Sequence, residues 1–446
     1  MGYSVGQYSI PLFWSGLHVI LAFVCVRFPS MAMVWGLVAL VASIFMIYRC
    51  KNAHDEAGLC AAYYAALEMV LRVSQISIGY EIAKYAVMLF LIIGMSVENG
   101  GGYKKNSAWI IAIILLLPSM LIADKLDAEH FEHVRFSVSG IMVLLLSAYY
   151  YQGRSIGRLT YIKQLSYILL PILSLAVIVT LKTPDYADVT FTAESNAEMS
   201  GGVAPIHVSN ILSIGALILI IFILLKQNVF KWTSLSYVIL FLFAFRIIFT
   251  FARSGLFAMA IALVTFFVLF IKNEKRRGDK KKYISVILLG LVFFVAWENI
   301  DSITGGMSTN RFTGKDTLGE QKEDVTTGRT ALLEQDMTFF IENPVLGVGA
   351  GNIADLRLAH YGLPHTSHTE YSRLLAEHGL LGLIVIIIIF SQFFNQVKRT
   401  RGWSKMFLAT FGTFALFSMI PAATRVALPL FLFGLGFLQI REEDYS

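Results

Sequence analysis

His365 and His368 stand three residues apart, just ahead of Glu370 and Tyr371, in a polar stretch from Asp301 to His378. A histidine titrates near neutral pH and can take a proton from an attacking hydroxyl. Glu370 is placed either to orient the imidazole of His368 or to act as the base itself. A lone loop histidine is more often structural, so its surroundings decide. A metal reading needs more than this spacing. His360 and His378 lie nearby, but no cysteine ligand and no compact carboxylate–histidine pattern completes a site. No metal and no cofactor is therefore expected.

The cations form a second group. Arg311 and Arg329 lie in the same stretch and are candidates for a clamp on an anion. Eleven Asp and Glu against six Lys and Arg there make local ion pairs the plainer alternative. Arg253 closes a long apolar run just before Ser254-Gly255. A snorkelling arginine at a helix end explains it equally well. Arg246 resists that explanation, because it lies inside a span. There an arginine costs at least about 2.5 kcal/mol unless it is paired or faces a polar cavity. It precedes Arg253 by about two helical turns, which puts both on roughly one face. Two guanidinium forks on one face near a membrane edge suit a diphosphate. Between these groups, Pro344, Gly347, Gly349 and Gly351 mark a turn region where backbone can approach closely.

Membrane helices must position these residues. The 446-residue chain is 56% hydrophobic and 15% charged, against about a quarter charged in soluble domains. Its mean hydropathy is +0.66. Fourteen apolar runs are candidate spans: 10–27, 30–48, 58–76, 82–97, 108–122, 136–151, 161–181, 209–225, 234–252, 255–271, 283–300, 379–397, 406–420 and 426–440. The third carries Glu68 and Arg72 on one helix face, so an interfacial helix is its alternative. The expected fold is all-α: a polytopic bundle of 12–14 transmembrane helices forming one membrane domain over residues 1–446. A large loop, 301–378, and a smaller one, 182–209, are inserted in it. The large loop should hold a helix from Arg329 to Ile341 that stops before Pro344.

Seven Lys and Arg crowd Lys272 to Lys282, and other basic clusters flank Arg154 and Lys398. Facing them to the cytoplasm puts both termini there and both loops outside. The net charge of +6 sits in such short loops, so nucleic acid is not an expected partner. Cys25, Cys50 and Cys60 are odd in number, lack metal spacing and read as packing residues. The N-terminus shows no cleavable signal. No internal repeat is evident, which weighs against a secondary transporter.

Taken in order, these pieces resemble the O-antigen ligase / O-antigen polymerase superfamily, membrane glycosyltransferases that use polyprenyl-diphosphate-linked glycans. Four stations carry the resemblance: Thr250-Phe251-Ala252-Arg253-Ser254-Gly255; Gly328-Arg329; Asn343-Pro344-Val345-Leu346-Gly347-Val348-Gly349; and His368-Thr369-Glu370-Tyr371 with Glu377-His378-Gly379. Thr369 stands where the family commonly has Asn, and Ala252 where it has Ser, which puts acceptor contacts in question. The resemblance implies a GT-C-like helical fold and metal-independent, inverting transfer. Arg253 and Arg329, with Arg311 as a third, would bind the diphosphate. His368 would activate the acceptor hydroxyl.

The expected protein is thus an inner-membrane glycosyltransferase. It would move a glycan from an undecaprenyl-diphosphate carrier to a hydroxyl acceptor at the periplasmic face, within membrane lipid. The acceptor would be the next repeat unit, favoured over a lipid A core in lipopolysaccharide. A protein acceptor is disfavoured because the chain ends soon after its last span. A polysaccharide exporter or flippase is the alternative from another class. It would need polar residues along many helices, whereas here they collect on one side.

Overall fold

A computed structural model describes residues 8–75, 81–98, 106–122, 127–184, 194–274, 290–291, 294–295, 297–321, 328–362, 364–422 and 425–441. Its helices are α1 (Leu12–Arg27), α2 (Ser30–Cys50), α3 (Glu56–Val73), α4 (Ile82–Val97), α5 (Ser107–Leu116), α6 (Ala128–Tyr151), α7 (Arg158–Lys182), α8 (Pro205–Leu224), α9 (Thr233–Phe249), α10 (Arg253–Glu274), α11 (Met307–Thr313), α12 (Arg329–Glu342), α13 (Ile353–Tyr361), α14 (Glu370–Arg399), α15 (Gly402–Ala422) and α16 (Ala427–Leu435). Two three-residue strands are the only ones among the described residues. Seven described helices, α2, α6, α7, α8, α10, α14 and α15, are long and apolar enough to cross a bilayer. The chain is an all-α, multi-pass membrane protein. The expected span 283–300 falls largely outside the described residues.

Two compact units make up the chain. The first comprises Met1–Gly100, Ser155–Glu323 and Ile440–Ser446. At its centre is α8, which starts at Pro205, where a missing N–H is harmless. Every residue from His207 to Leu224 is buried, as an all-round apolar helix requires. It packs on α7, α9 and α10, while α3 packs on α2, α4 and α7. By contrast α2 exposes Val34, Val38, Val41 and Phe45, an apolar face suited to lipid.

The interfacial alternative for α3 does not hold. Glu68 and Arg72 are both buried and paired with each other, and Glu81 pairs with Lys84 at 2.8 Å. Pairing inside the protein removes the need for headgroups. Cys25 and Cys60 are packed as expected, but Cys50 is exposed at the end of α2.

The second unit comprises Gly101–Arg154 and Asp324–Gln439. In it α6 packs on α5 and α16, and α14 packs on α5, α12 and α15. The expected helix after Gly328 forms as α12. Gly328, at φ 79°, occupies a conformation that only glycine adopts at low cost, and the helix ends before Pro344. Inside α14, Gly379 breaks the helical path at φ 59° and ψ −138°. That break falls where the polar stretch meets the apolar span.

Candidate functional site

In the first unit, α9 does not run on into α10. Thr250–Ala252 interrupts them, with Phe251 at φ 53°. The interruption presents carbonyls sideways, and other segments take them up. Ser209 Oγ donates to Ala252 O at 3.0 Å, the Asn196 amide donates to Thr250 O at 3.1 Å, and Arg311 Nε donates to Phe251 O at 3.2 Å. Arg311 Nη1 also meets Glu194 Oε2 at 2.9 Å, and Arg253 Nη1 reaches Arg311 O at 3.5 Å. A Cβ on Gly255 would lie 2.6 Å from the Ser209 backbone, so this helix start admits only glycine. The smaller loop and Arg311 thus converge with Arg253 on one polar corner.

Arg246 does not share a face with Arg253, because the helix ends between them. It is buried, and its Nη2 donates to Val179 O and Thr183 Oγ1 at the end of α7. There it adds a donor to the Val179 carbonyl in the last turn of α7, which also accepts from Thr183 Oγ1.

In the second unit, His368 sits in the short connection between α13 and α14. Its two flanks are fixed by one carboxylate. Asp336 on α12 accepts from Ser367 Oγ at 2.7 Å and from Ser372 Oγ at 2.6 Å. Arg357 on α13 pairs with Asp336, and its Nη1 donates to His365 O at 2.8 Å. Asp336 and Arg357 are each 1% exposed, so this clamp lies away from water. Thr369 caps α14 by accepting from the Tyr371 amide, and Tyr371 Oη donates to Leu416 O at 2.8 Å.

His368 itself is half-buried. Burial pushes its pKa down to about 4, and the positive neighbours Arg329, Arg425 and Arg357 push the same way. At neutral pH the imidazole is therefore neutral and able to accept a proton. Arg329 is the first residue of α12. A cation at a helix N-terminus opposes the macrodipole by roughly 0.3–1 kcal/mol, whereas an anion there is favoured by both the dipole and the guanidinium. Bound negative charge would also offset the field on His368 and make it a stronger base.

Glu370 is buried and receives Arg373 Nε at 3.0 Å. Arg373 also pairs with Glu377 at 3.2 Å and donates to Ser137. The Glu370 carboxylate is thus committed to the unit's interior and not placed as an exposed base.

The glycine-rich turn is a staple. The Val348 and Gly349 amides donate to Ala376 O and Glu377 O at 2.8 and 3.2 Å, and the Leu380 amide donates to Pro344 O at 2.7 Å. A Cβ on Gly347, which sits at φ 70°, would fall 2.4 Å from the Glu377 carbonyl carbon. Pro344 to Gly349 therefore hold the α14 break at Gly379.

Sequence reasoning missed Arg373, Asp336, Arg357 and Arg425. Arg425 donates to Ser367 O at 3.1 Å and also to Thr366 Oγ1. A signal existed for it: a lone arginine between two apolar runs, 406–420 and 426–440. Among the described residues no group of three or more His, Cys, Asp or Glu is arranged to hold a metal ion.

Comparison with known families bears out the resemblance over one segment. Residues 238–387 match the model of a family described as O-antigen ligase. The segment runs from α9 past the break in α14 and contains all four stations. No curated protein matches the chain.

Proposed function

We propose, from the match of residues 238–387 to the O-antigen ligase family model, that the protein is a glycosyltransferase moving a glycan from an undecaprenyl-diphosphate carrier to a sugar hydroxyl at the periplasmic face. The observation that carries this reading is the setting of His368: a half-buried imidazole whose flanking Ser367 and Ser372 share Asp336, with burial and the Arg329 charge holding its pKa down to about 4. The acceptor O–H gives its proton to the imidazole as its oxygen bonds to the donor's anomeric carbon. The bond from that carbon to the diphosphate oxygen breaks, and the electron pair leaves on undecaprenyl diphosphate. The imidazolium then returns its proton to water.

One displacement from the face opposite the leaving group inverts the anomeric centre. The leaving group carries its charge on phosphate oxygens, so a guanidinium can stabilise its departure and no metal is required. Arg329 takes this role beside the imidazole. Arg253 with Arg311 forms the first unit's cationic corner, and the resemblance gives it the same kind of ligand. The acceptor is the next repeat unit or a lipid A core, and the chemistry is the same for either.

Purified protein given a lipid-diphosphate glycan and acceptor should release undecaprenyl diphosphate. His368→Ala should abolish release while its melting temperature stays close to wild type. Full activity in that folded variant removes His368 as the base. Movement of intact lipid-linked glycan without release would point to an exporter.

A further inference from the structure

Beside the His368 connection the second unit contains a cavity of about 420 Å3. That is within the range of small-molecule sites. Glu129, Glu132, His133 and Phe136 of α6 line one wall. The opposite side includes Thr366, Ser367 and Arg425, and Arg373 with Glu377 lie deeper. Thr366 and Ser367 immediately precede His368. Arg425 belongs to both places, because it bonds to Thr366 and Ser367 and its charge bears on the imidazole.

The charges say what fits. Glu129 and Glu132 are exposed, and Asp355 stands 3.4 Å from His133 nearby. The Glu129 and Glu132 carboxylates accept hydrogen bonds from hydroxyl or ammonium groups, while Arg425 and Arg373 on the other side can donate to hydroxyl oxygens. The half-buried Phe136, whose ring has the Arg425 guanidinium over it at 5.9 Å, adds an aromatic side to this wall. Deeper in, Arg373 and Ser137 both donate to Glu377, so the floor is preset.

On the glycosyltransferase reading above, we infer that this cavity is the acceptor subsite. It takes a neutral or amino sugar whose hydroxyls bond to Glu129 and Glu132, with the reacting hydroxyl led along Thr366 and Ser367 to His368.

The test uses oligosaccharides of one and two repeat units, released from the source cell's own surface polysaccharide. Their binding to the detergent-solubilised full chain is followed by saturation-transfer NMR without any donor. Wild type should bind, and the double variant E129Q/E132Q should bind at least about tenfold more weakly. Ala354→Trp, which fills the cavity from the surface helix α13, should also block binding. In transfer assays both losses should appear in the acceptor KM more than in kcat. Oligosaccharides that bind wild type and both variants alike, or fail to bind wild type, overturn the subsite. If binding behaves as expected but no lipid diphosphate is ever released, the cavity stands and the transferase reading fails.

Discussion

Asp336 offers the sharpest test of how His368 is held. Asp336→Ala leaves Arg357 charged, buried and without its carboxylate, and breaking such a pair costs about 3–5 kcal/mol. Ser367 and Ser372 also lose their shared acceptor, at about 1 kcal/mol each. The combined loss of about 5–7 kcal/mol is comparable to the whole stability of many domains, roughly 5–15 kcal/mol. The single variant should therefore unfold far earlier in an SDS titration followed by tryptophan fluorescence. The double variant Asp336→Ala/Arg357→Met removes both charges and should regain much of that stability. It should not regain activity. Ser367 and Ser372 still lack the carboxylate that ties them together, and a shift of about 1 Å at the base can cost about a hundredfold in rate. Release of undecaprenyl diphosphate measures that rate. A double variant that is stable and fully active would show that the clamp serves folding alone and does not position His368.

Arg425→Gln removes a positive neighbour of His368, whose pKa is held down to about 4. The acid limb of the kcat/KM pH profile should move to higher pH, and an unmoved limb would separate Arg425 from the base. Stability has a matching sign. Because the folded imidazole titrates below its unfolded value, this contribution is complete above about pH 6.5 and is lost as pH falls toward about 4, which wild-type melting at graded pH should show. Gly347→Ala puts a methyl against the Glu377 carbonyl at positive φ and should lower the melting temperature by several degrees, whereas Gly290→Ala, with open space around it, should not. Arg253→Lys keeps charge without the fork and should cut transfer about tenfold or more. Chelator should leave wild-type transfer unchanged, and strict metal dependence would overturn the proposed chemistry.

The all-α fold was legible because apolar runs long enough to span a bilayer have few other solutions. The start of α12 was legible too, since Gly328 and Pro344 bracket its apolar periodicity. Arg246 shows the limit. Helical spacing placed it beside Arg253, but spacing holds only while a helix continues, and nothing in Thr250-Phe251-Ala252 announces a left-handed residue at Phe251. Glu370 shows another. Its neighbour in sequence is His368, while its partner in space is Arg373, one turn further along α14. Asp336 and Arg357 were invisible because a buried pair twenty-one residues apart reads as two ordinary loop charges. Arg425 was readable as an isolated cation but carried no motif.

The stapling of Pro344–Gly349 onto Ala376–Leu380 has a consequence for engineering. The two segments share backbone hydrogen bonds across a glycine-lined seam too narrow for any side chain. A chimera that imports only the histidine-bearing segment from a relative would bring one half of that seam and meet a foreign other half. Grafts should therefore be cut outside residues 343–380, so that both halves travel together.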